Sequence, residues 1–170
     1  MNMDQISYKQ LVKKYGKGFS ALEKALSSIP KKAWSFKPTP EEWSISEIIV
    51  HLVDSEANAM LRIRVLFAEE GRTLMAYDQD IWASKLNYLN TDLDSSMFLL
   101  EGIRKFTHSW LKSITVSDFQ NYAIHPEYGE PYSFEKWMVI YSNHIYSHID
   151  QVNKNYTLWK SQRTQKTKNK

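Results

Sequence analysis

The 170-residue chain contains no cysteine, which rules out disulfide frameworks, thiolate metal sites and a cysteine nucleophile. Any metal must therefore be held by His, Asp, Glu or water. A long apolar run is also missing. Polar residues interrupt every hydrophobic stretch well before the ~18 residues that a membrane span needs, and the opening "MNMDQISYKQ" lacks the apolar centre of a secretory signal. The expectation is a soluble, cytoplasmic protein with no membrane partner. Acidic residues are absent from the last eleven positions, "KSQRTQKTKNK", which hold five of the 22 Lys and Arg residues. The remainder carries 17 basic against 19 acidic groups, so the formal net charge of +3 belongs to the tail, and the body offers nucleic acid no basic surface. Residues 160–170 are expected to form a basic, polar, disordered terminus, and residues 1–159 a single domain.

What is present favours helix. Hydrophobic residues make up 42% of the chain and aromatics 14%, ample for one packed core. Four long segments repeat apolar residues with a 3.6-residue period. In the first, Tyr8, Leu11, Val12, Tyr15, Phe19, Leu22 and Leu26 form a stripe that Gly16 and Gly18 weaken. Pro30, Pro38 and Pro40 then exclude helix from the connection. Ser44 and Glu47 form an S-x-x-E capping box at the start of the second, with Trp43 placed to pack on Ile48 and Gly71 a natural terminator. Its inward stripe runs through Ile45, Ile48, Ile49, Leu52, Met60, Ile63, Leu66 and Phe67. The third starts near Thr91 or Asp92, with Leu93, Met97, Leu100, Ile103, Phe106, Trp110 and Ile114 facing inward. The fourth follows Ser133, with Tyr132 and Trp137 as a staple, and continues through Met138, Tyr141, Ile145, Ile149, Val152 and Tyr156. With no alternating pattern to suggest a sheet, the fold class is all-α, a four-helix bundle with long connecting loops. The loops are too long to fix the up-down order. Two carry suggestive residues, Leu74 to Trp82 ("LMAYDQDIW") and Ile124 to Ser133 ("IHPEYGEPYS").

Histidines supply the candidate chemistry. His144 and His148 lie one turn apart on the inward border of the fourth helix, where two imidazoles reach a common point. His51 lies beside Ile48 and Leu52 on the inward half of the second. If these helices are neighbours, three imidazoles converge, leaving one position open on a tetrahedral ion and three on an octahedral one. Such an ion lowers the pKa of bound water or polarises a substrate. A lone H-x3-H is equally an ordinary pair of core histidines, and spacing alone does not decide. The glutamate of H-E-x-x-H is missing, as is the Glu-x-x-His of di-iron bundles. His108 and His125 read as nonligands. Because each ligand must be neutral, free imidazoles predict an affinity that falls steeply below about pH 6, unless burial already keeps the rings neutral.

Taken in order, "WSISEIIVHLVDSEANAMLRIR" (Trp43 to Arg64), "YDQDIWA", "HPEYGEPYS" and "HIYSHIDQV" resemble the DinB-like, or YfiT-like, superfamily of metalloenzymes over roughly residues 5 to 158. The superfamily shares its name with an unrelated DNA polymerase, which this chain does not resemble. In this superfamily one histidine of the second helix and an H-x3-H pair of the last bind a divalent metal, and these positions correspond to His51, His144 and His148. The resemblance implies a DinB/YfiT-like bundle and a metal-dependent enzyme acting on a small molecule. Its leading reaction is transfer of a low-molecular-weight thiol, such as bacillithiol or mycothiol, to an electrophile. The alternatives are metal-dependent hydrolysis and a noncatalytic metal-binding bundle. Zinc or nickel leads as the ion, with iron or manganese next, and a homodimer is in keeping with the superfamily.

Around this site the candidates for catalysis are Arg62, Asp54 and Gln151. Ser55, Asn58 and Arg62 continue the His51 line as a polar seam, on which Arg62 is placed to clamp an anion or simply to reach solvent. Asp54 is one turn from His51. Gln151 extends the His148 line and is suited to orient a ligand ring or to bond another helix. Asp78, Asp80 and Glu127 lie on loops able to cover the site.

Overall fold

The computed structural model describes residues 4–127 and 131–168. Side-chain caps set where its helices begin. Asp4 accepts the Ser7 N–H at 2.7 Å ahead of α1 (Gln5–Ser27), and the expected Ser44/Glu47 box opens α2 (Ile45–Ala68). Asp78 accepts two backbone N–H groups at the start of a short helix, α3 (Gln79–Lys85). Asp92 does the same for α4 (Leu93–Leu111). The last helix, α5 (Phe134–Lys168), takes the Lys136 N–H on Ser133 Oγ at 3.2 Å. Each cap satisfies donors that the first helical turn leaves without partners.

Two sequence expectations need correction here. The basic segment expected to be disordered continues α5 to Lys168, with residues 161–165 exposed. Cations stack back on aromatics along that stretch, Lys160 over Tyr156 and Arg163 over Trp159. Residues 169–170 lie outside the described residues. In α4, Phe106 points outward at 58% exposure, and Ser96, Arg104 and Thr107 take the inward places. Arg104 turns inward because its guanidinium bonds the Glu56 carboxylate and the Tyr15 carbonyl, while Tyr15 Oη donates to the other Glu56 oxygen at 2.7 Å. This buried, charged layer falls between two apolar clusters, one built around Tyr8, Leu66, Phe134 and Trp137, the other around Leu22, Ile48, Leu52 and Ile145.

Gly16 and Gly18 do not interrupt α1. A Cβ on Gly16 would meet the His108 ring at 2.4 Å, and one on Gly18 would meet Ile145 Cγ2 at 2.5 Å. The glycines let α4 and α5 approach closely.

The long helices form a ring in the order α1, α5, α2, α4. Trp137 Nε1 bonds Ala59 O and Asn155 Nδ2 bonds Trp43 O, so α5 runs antiparallel to α2. Tyr8 Oη bonds Leu111 O while Tyr15 meets Arg104, making α4 antiparallel to α1. Tyr8 meets Phe134 and Gly18 lies against Ile145, so α1 runs parallel to α5, and α2 is therefore parallel to α4. This arrangement explains the long connections: α1 and α2 sit across a diagonal, as do α4 and α5, and parallel neighbours need a return path as long as the bundle.

The last connection holds the bundle's only strands among the described residues. Tyr122–Ile124 pairs antiparallel with Pro131–Ser133, Ala123 opposite Tyr132, and residues 128–130 at the tip lie outside the described residues. Thr73 adds a parallel bridge to Ile124. Just before it, Gly71 takes φ +77° and donates its N–H to Tyr122 O, which ties the end of α2 to the hairpin. No helix among the described residues is long and apolar enough to cross a membrane.

Candidate metal centre

Because α5 lies beside α2 in opposite direction, His144 and His148 come level with His51. The ring centroid of His51 is 5.4 Å from that of His144 and 4.8 Å from that of His148. The Nε2 atoms of His144 and His148 are 3.1 Å apart, and one nitrogen from each ring lies within 4.8 Å of the others. Among the described residues this is the one group of three or more His, Asp or Glu so arranged.

Physical chemistry favours a cation at this point. Two nitrogens on one divalent ion lie ~3.0–3.4 Å apart for bond lengths near 2.0–2.1 Å, which matches the His144–His148 separation; the wider gap elsewhere closes if one ring shifts. Nδ1 of His51 and Nδ1 of His144 are both buried without a hydrogen-bond partner, so neither ring is oriented through that atom. His148 is oriented from behind, its Nδ1 2.9 Å from Gln151 Oε1, which fixes the hydrogen on Nδ1 and aims Nε2 at the cluster. Gln151 thus bonds within its own helix.

Protonation points the same way. Burial, with the neighbouring His148, lowers the pKa of His51 to about 3. His144 is lowered well below the ordinary range, first by burial and then by His148, His51 and Arg104. Burial also lowers His148, with Gln151 opposing. All three rings are neutral at pH 7, and the steep proton competition expected of free imidazoles is accordingly weakened.

Two cavities flank the cluster. One, of about 400 Å³, is lined by His51, Ser55, Arg62, Tyr77, Tyr141 and His144 together with Asp78, His125 and Glu127. The other, of about 420 Å³, is lined by Trp43, His51, His144, His148 and Gln151 with Glu41 and Glu42. Gln79 and Asp80, the first residues of α3, border both. Trp43 stands 4.6 Å from the His51 ring and walls the second cavity.

A model of the DinB superfamily matches residues 16–152. The chain belongs to the DinB superfamily. The DinB assignment agrees with two relatives. "Putative metal-dependent hydrolase OB0782" of Oceanobacillus iheyensis is 31% identical over 110 residues, covering 65% of this chain and 63% of that one. "Putative metal-dependent hydrolase YfiT" of Bacillus subtilis is 24% identical over 110 residues, covering 65% and 62%. The matched stretch therefore spans less than two thirds of these relatives. Among solved structures, "YfiT from Bacillus subtilis is a probable metal-dependent hydrolase with an unusual four-helix bundle topology" superposes with a TM-score of 0.83, covering 90% of this chain and 87% of that one at 19% identity. The likeness establishes the DinB bundle fold.

The other candidates divide. Arg62 lines the first cavity but spends its guanidinium on Met75 O, at 2.9 Å from Nη2, and on Tyr141 Oη at 3.3 Å, so it pins the loop before α3. Asp54 accepts the Tyr88 hydroxyl and lines neither cavity. Ser55 lines the first cavity, whereas Asn58 turns back to Asp54 O. His108 packs on Gly16. His125 lies outside the histidine cluster yet borders the first cavity at 3% exposure. Sequence reasoning did not place Tyr77, Gln79 or Tyr141 at the site; the segment "YDQD", in which Asp78 is the N-cap of α3, was the available signal for the first two.

Proposed function

We propose that this protein is a cytoplasmic metal-dependent enzyme in which His51, His144 and His148 hold one divalent ion and a small thiol attacks a small electrophile. Zinc or nickel suits three neutral imidazoles, and iron or manganese can occupy the same donors. When bound, the ion supplies Lewis acidity and lowers the pKa of a nucleophile. One observation carries the choice of a two-reactant transfer: cavities of about 400 and 420 Å³, sharing His51, His144, Gln79 and Asp80 in their walls, adjoin the cluster. Hydrolysis would need space for one organic reactant only.

The chain's own residues divide the work. Gln151 keeps His148 pointed inward, and Arg62 holds the Met75 carbonyl so that Tyr77 and α3 cover the site. Of the two carboxylates on the second cavity, Glu42 is paired with Lys154 at 2.8 Å, so Glu41 is the one that favours a reactant bearing an amine and receives the thiol proton. The thiol sulfur then bonds to the electrophilic carbon, and the leaving group departs with its electron pair.

Hydrolysis is the second reading, favoured by the names the relatives carry. The test is protein purified without a His tag, analysed for metal and assayed with chlorodinitroarenes plus thiols and, separately, with activated esters. Turnover that needs both metal and thiol, and disappears in His51→Ala, is expected. Equal turnover in water alone would replace transfer by hydrolysis. A cobalt-substituted protein whose spectrum responds to neither azide nor thiol would make the bundle noncatalytic.

A further inference from the structure

A groove between α1 and α4 shares no residue with the two cavities beside the histidine cluster. Its volume is about 380 Å³, and it is lined by Lys9, Lys13 and Lys17 of α1, by His108 of α4 and by Lys112 just past the end of α4, with Val12 and Gly16 below them. Because Gly16 has no side chain, the His108 ring lies down against α1, two of its atoms 2.4 Å from where a Cβ would stand, and so lines the groove instead of filling it.

The charges around this groove have one sign. Lys9, Lys13 and Lys17 repeat every four residues and stand on one side of α1, a spacing at which like charges destabilise a helix. No acid lies between Asp4 and Glu23 to relieve them, and no acid lines the groove. None of its four lysines forms an ion pair among the described residues. Burial first, and then Lys112 and Arg104, lowers the pKa of His108, so the charges acting on that ring are cationic as well. The acids of the body lie elsewhere, which is why its summed charge conceals the patch.

A row of unrelieved cations over a partly apolar floor suits an anion with an organic body, and the volume falls at the small end of the roughly 300–1,000 Å³ typical of small-molecule sites. The residue type narrows the anion. Planar carboxylates are held best by the paired N–H groups of arginine, whereas lysine serves phosphate as a point charge, and the groove has four lysines and no arginine. We propose that the groove between α1 and α4 binds a small phosphate ester, its phosphate held by Lys9, Lys13, Lys17 and Lys112 and its organic body resting on Val12 and the His108 ring. The site stands apart from the reaction assigned to the metal, because no residue is common to both.

Calorimetric titration of the full-length protein with 1-naphthyl phosphate at about 50 mM salt, where surface charges are weakly screened, tests the assignment. Saturable binding is expected, accompanied by a shift of the His108 ring resonances in the NMR spectrum. Lys13→Gln and Lys112→Gln should each weaken binding about threefold and together about tenfold. Lys24→Gln, on α1 but outside the groove, should leave it unchanged, and so should His51→Ala. Binding lost with His51 would place the phosphate on the metal and overturn the proposal. So would indifference to both groove lysines, or no binding at about 5 mM probe. A naphthalene dicarboxylate bound as tightly would remove the preference for phosphate, and inorganic phosphate bound as tightly would leave the apolar floor without a role; either result overturns the class of ligand. Duplex DNA bound in preference to naphthyl phosphate, with an affinity that falls steeply with salt, would make the groove part of a nucleic-acid surface instead.

Discussion

His51, His144 and His148 differ in what holds the nitrogen that does not serve the cluster, and the difference sets what each substitution does. His148 has Gln151 behind it, whereas Nδ1 of His51 and of His144 has no protein partner. Alanine at any of the three should lower metal affinity by at least ~10-fold. Gln151→Leu should lower it by about tenfold through misorientation of His148 alone. His108→Ala should leave it unchanged, since that ring lies on Gly16 in another part of the bundle. Competition with a chromogenic chelator measures all five; a loss at His108 matching that at His51 would refute the ligand set.

At the scale of helices, two close fits can be tested. Gly16→Ala drives a methyl group into the His108 ring and should destabilise the protein by about 1–3 kcal/mol, with His108→Ala recovering part of the loss in a double-mutant cycle read by urea unfolding. Glu56→Ala strands Arg104 inside the bundle and should cost roughly 3–5 kcal/mol, whereas replacing Glu56 and Arg104 together by Leu and Met should cost much less. This layer also marks the limit of what the sequence disclosed. Apolar periodicity located all four long helices, and the Ser44/Glu47 box placed the start of α2, because burial and capping are written locally. Glu56 and Arg104 were passed over since each looks like a surface residue until its partner on another helix is known. Their one signal was opposite charges on the inward sides of α2 and α4. His51 joined His144 and His148 on the strength of helix periodicity, while the cavity wall from Tyr77 to Asp80 depends on a loop path that no periodicity encodes.

For the molecule as a whole, both apolar clusters form without the site, so a chelator should remove the metal and lower the melting temperature while leaving the helical circular dichroism at 25 °C intact. Alkaline pH acts on the core. Burial, aided by nearby carboxylates, raises the pKa values of Tyr8, Tyr15 and Tyr88, so above pH 10 the unfolded chain loses protons that the folded chain keeps. Stability from these groups is therefore fully present below about pH 10 and declines as pH rises toward their folded values. The urea midpoint should be flat from pH 8 to 9.5 and fall beyond, with tyrosinate absorbance from these rings appearing only on unfolding; a midpoint that rises above pH 10 would contradict the burial of these three hydroxyls. The order α1, α5, α2, α4 around the bundle also governs how the chain can assemble. No two successive long helices make an antiparallel hairpin, so the cheap local step that begins many bundles is unavailable, and the first productive contacts must close long loops. On the ribosome α1 emerges first, and it waits for the last-made helix before its inward side is covered. During synthesis Tyr8, Tyr15 and Leu22 are thus accessible to chaperones for longer than any later segment, and release of a chain truncated before Phe134 should yield an aggregating product rather than a smaller bundle.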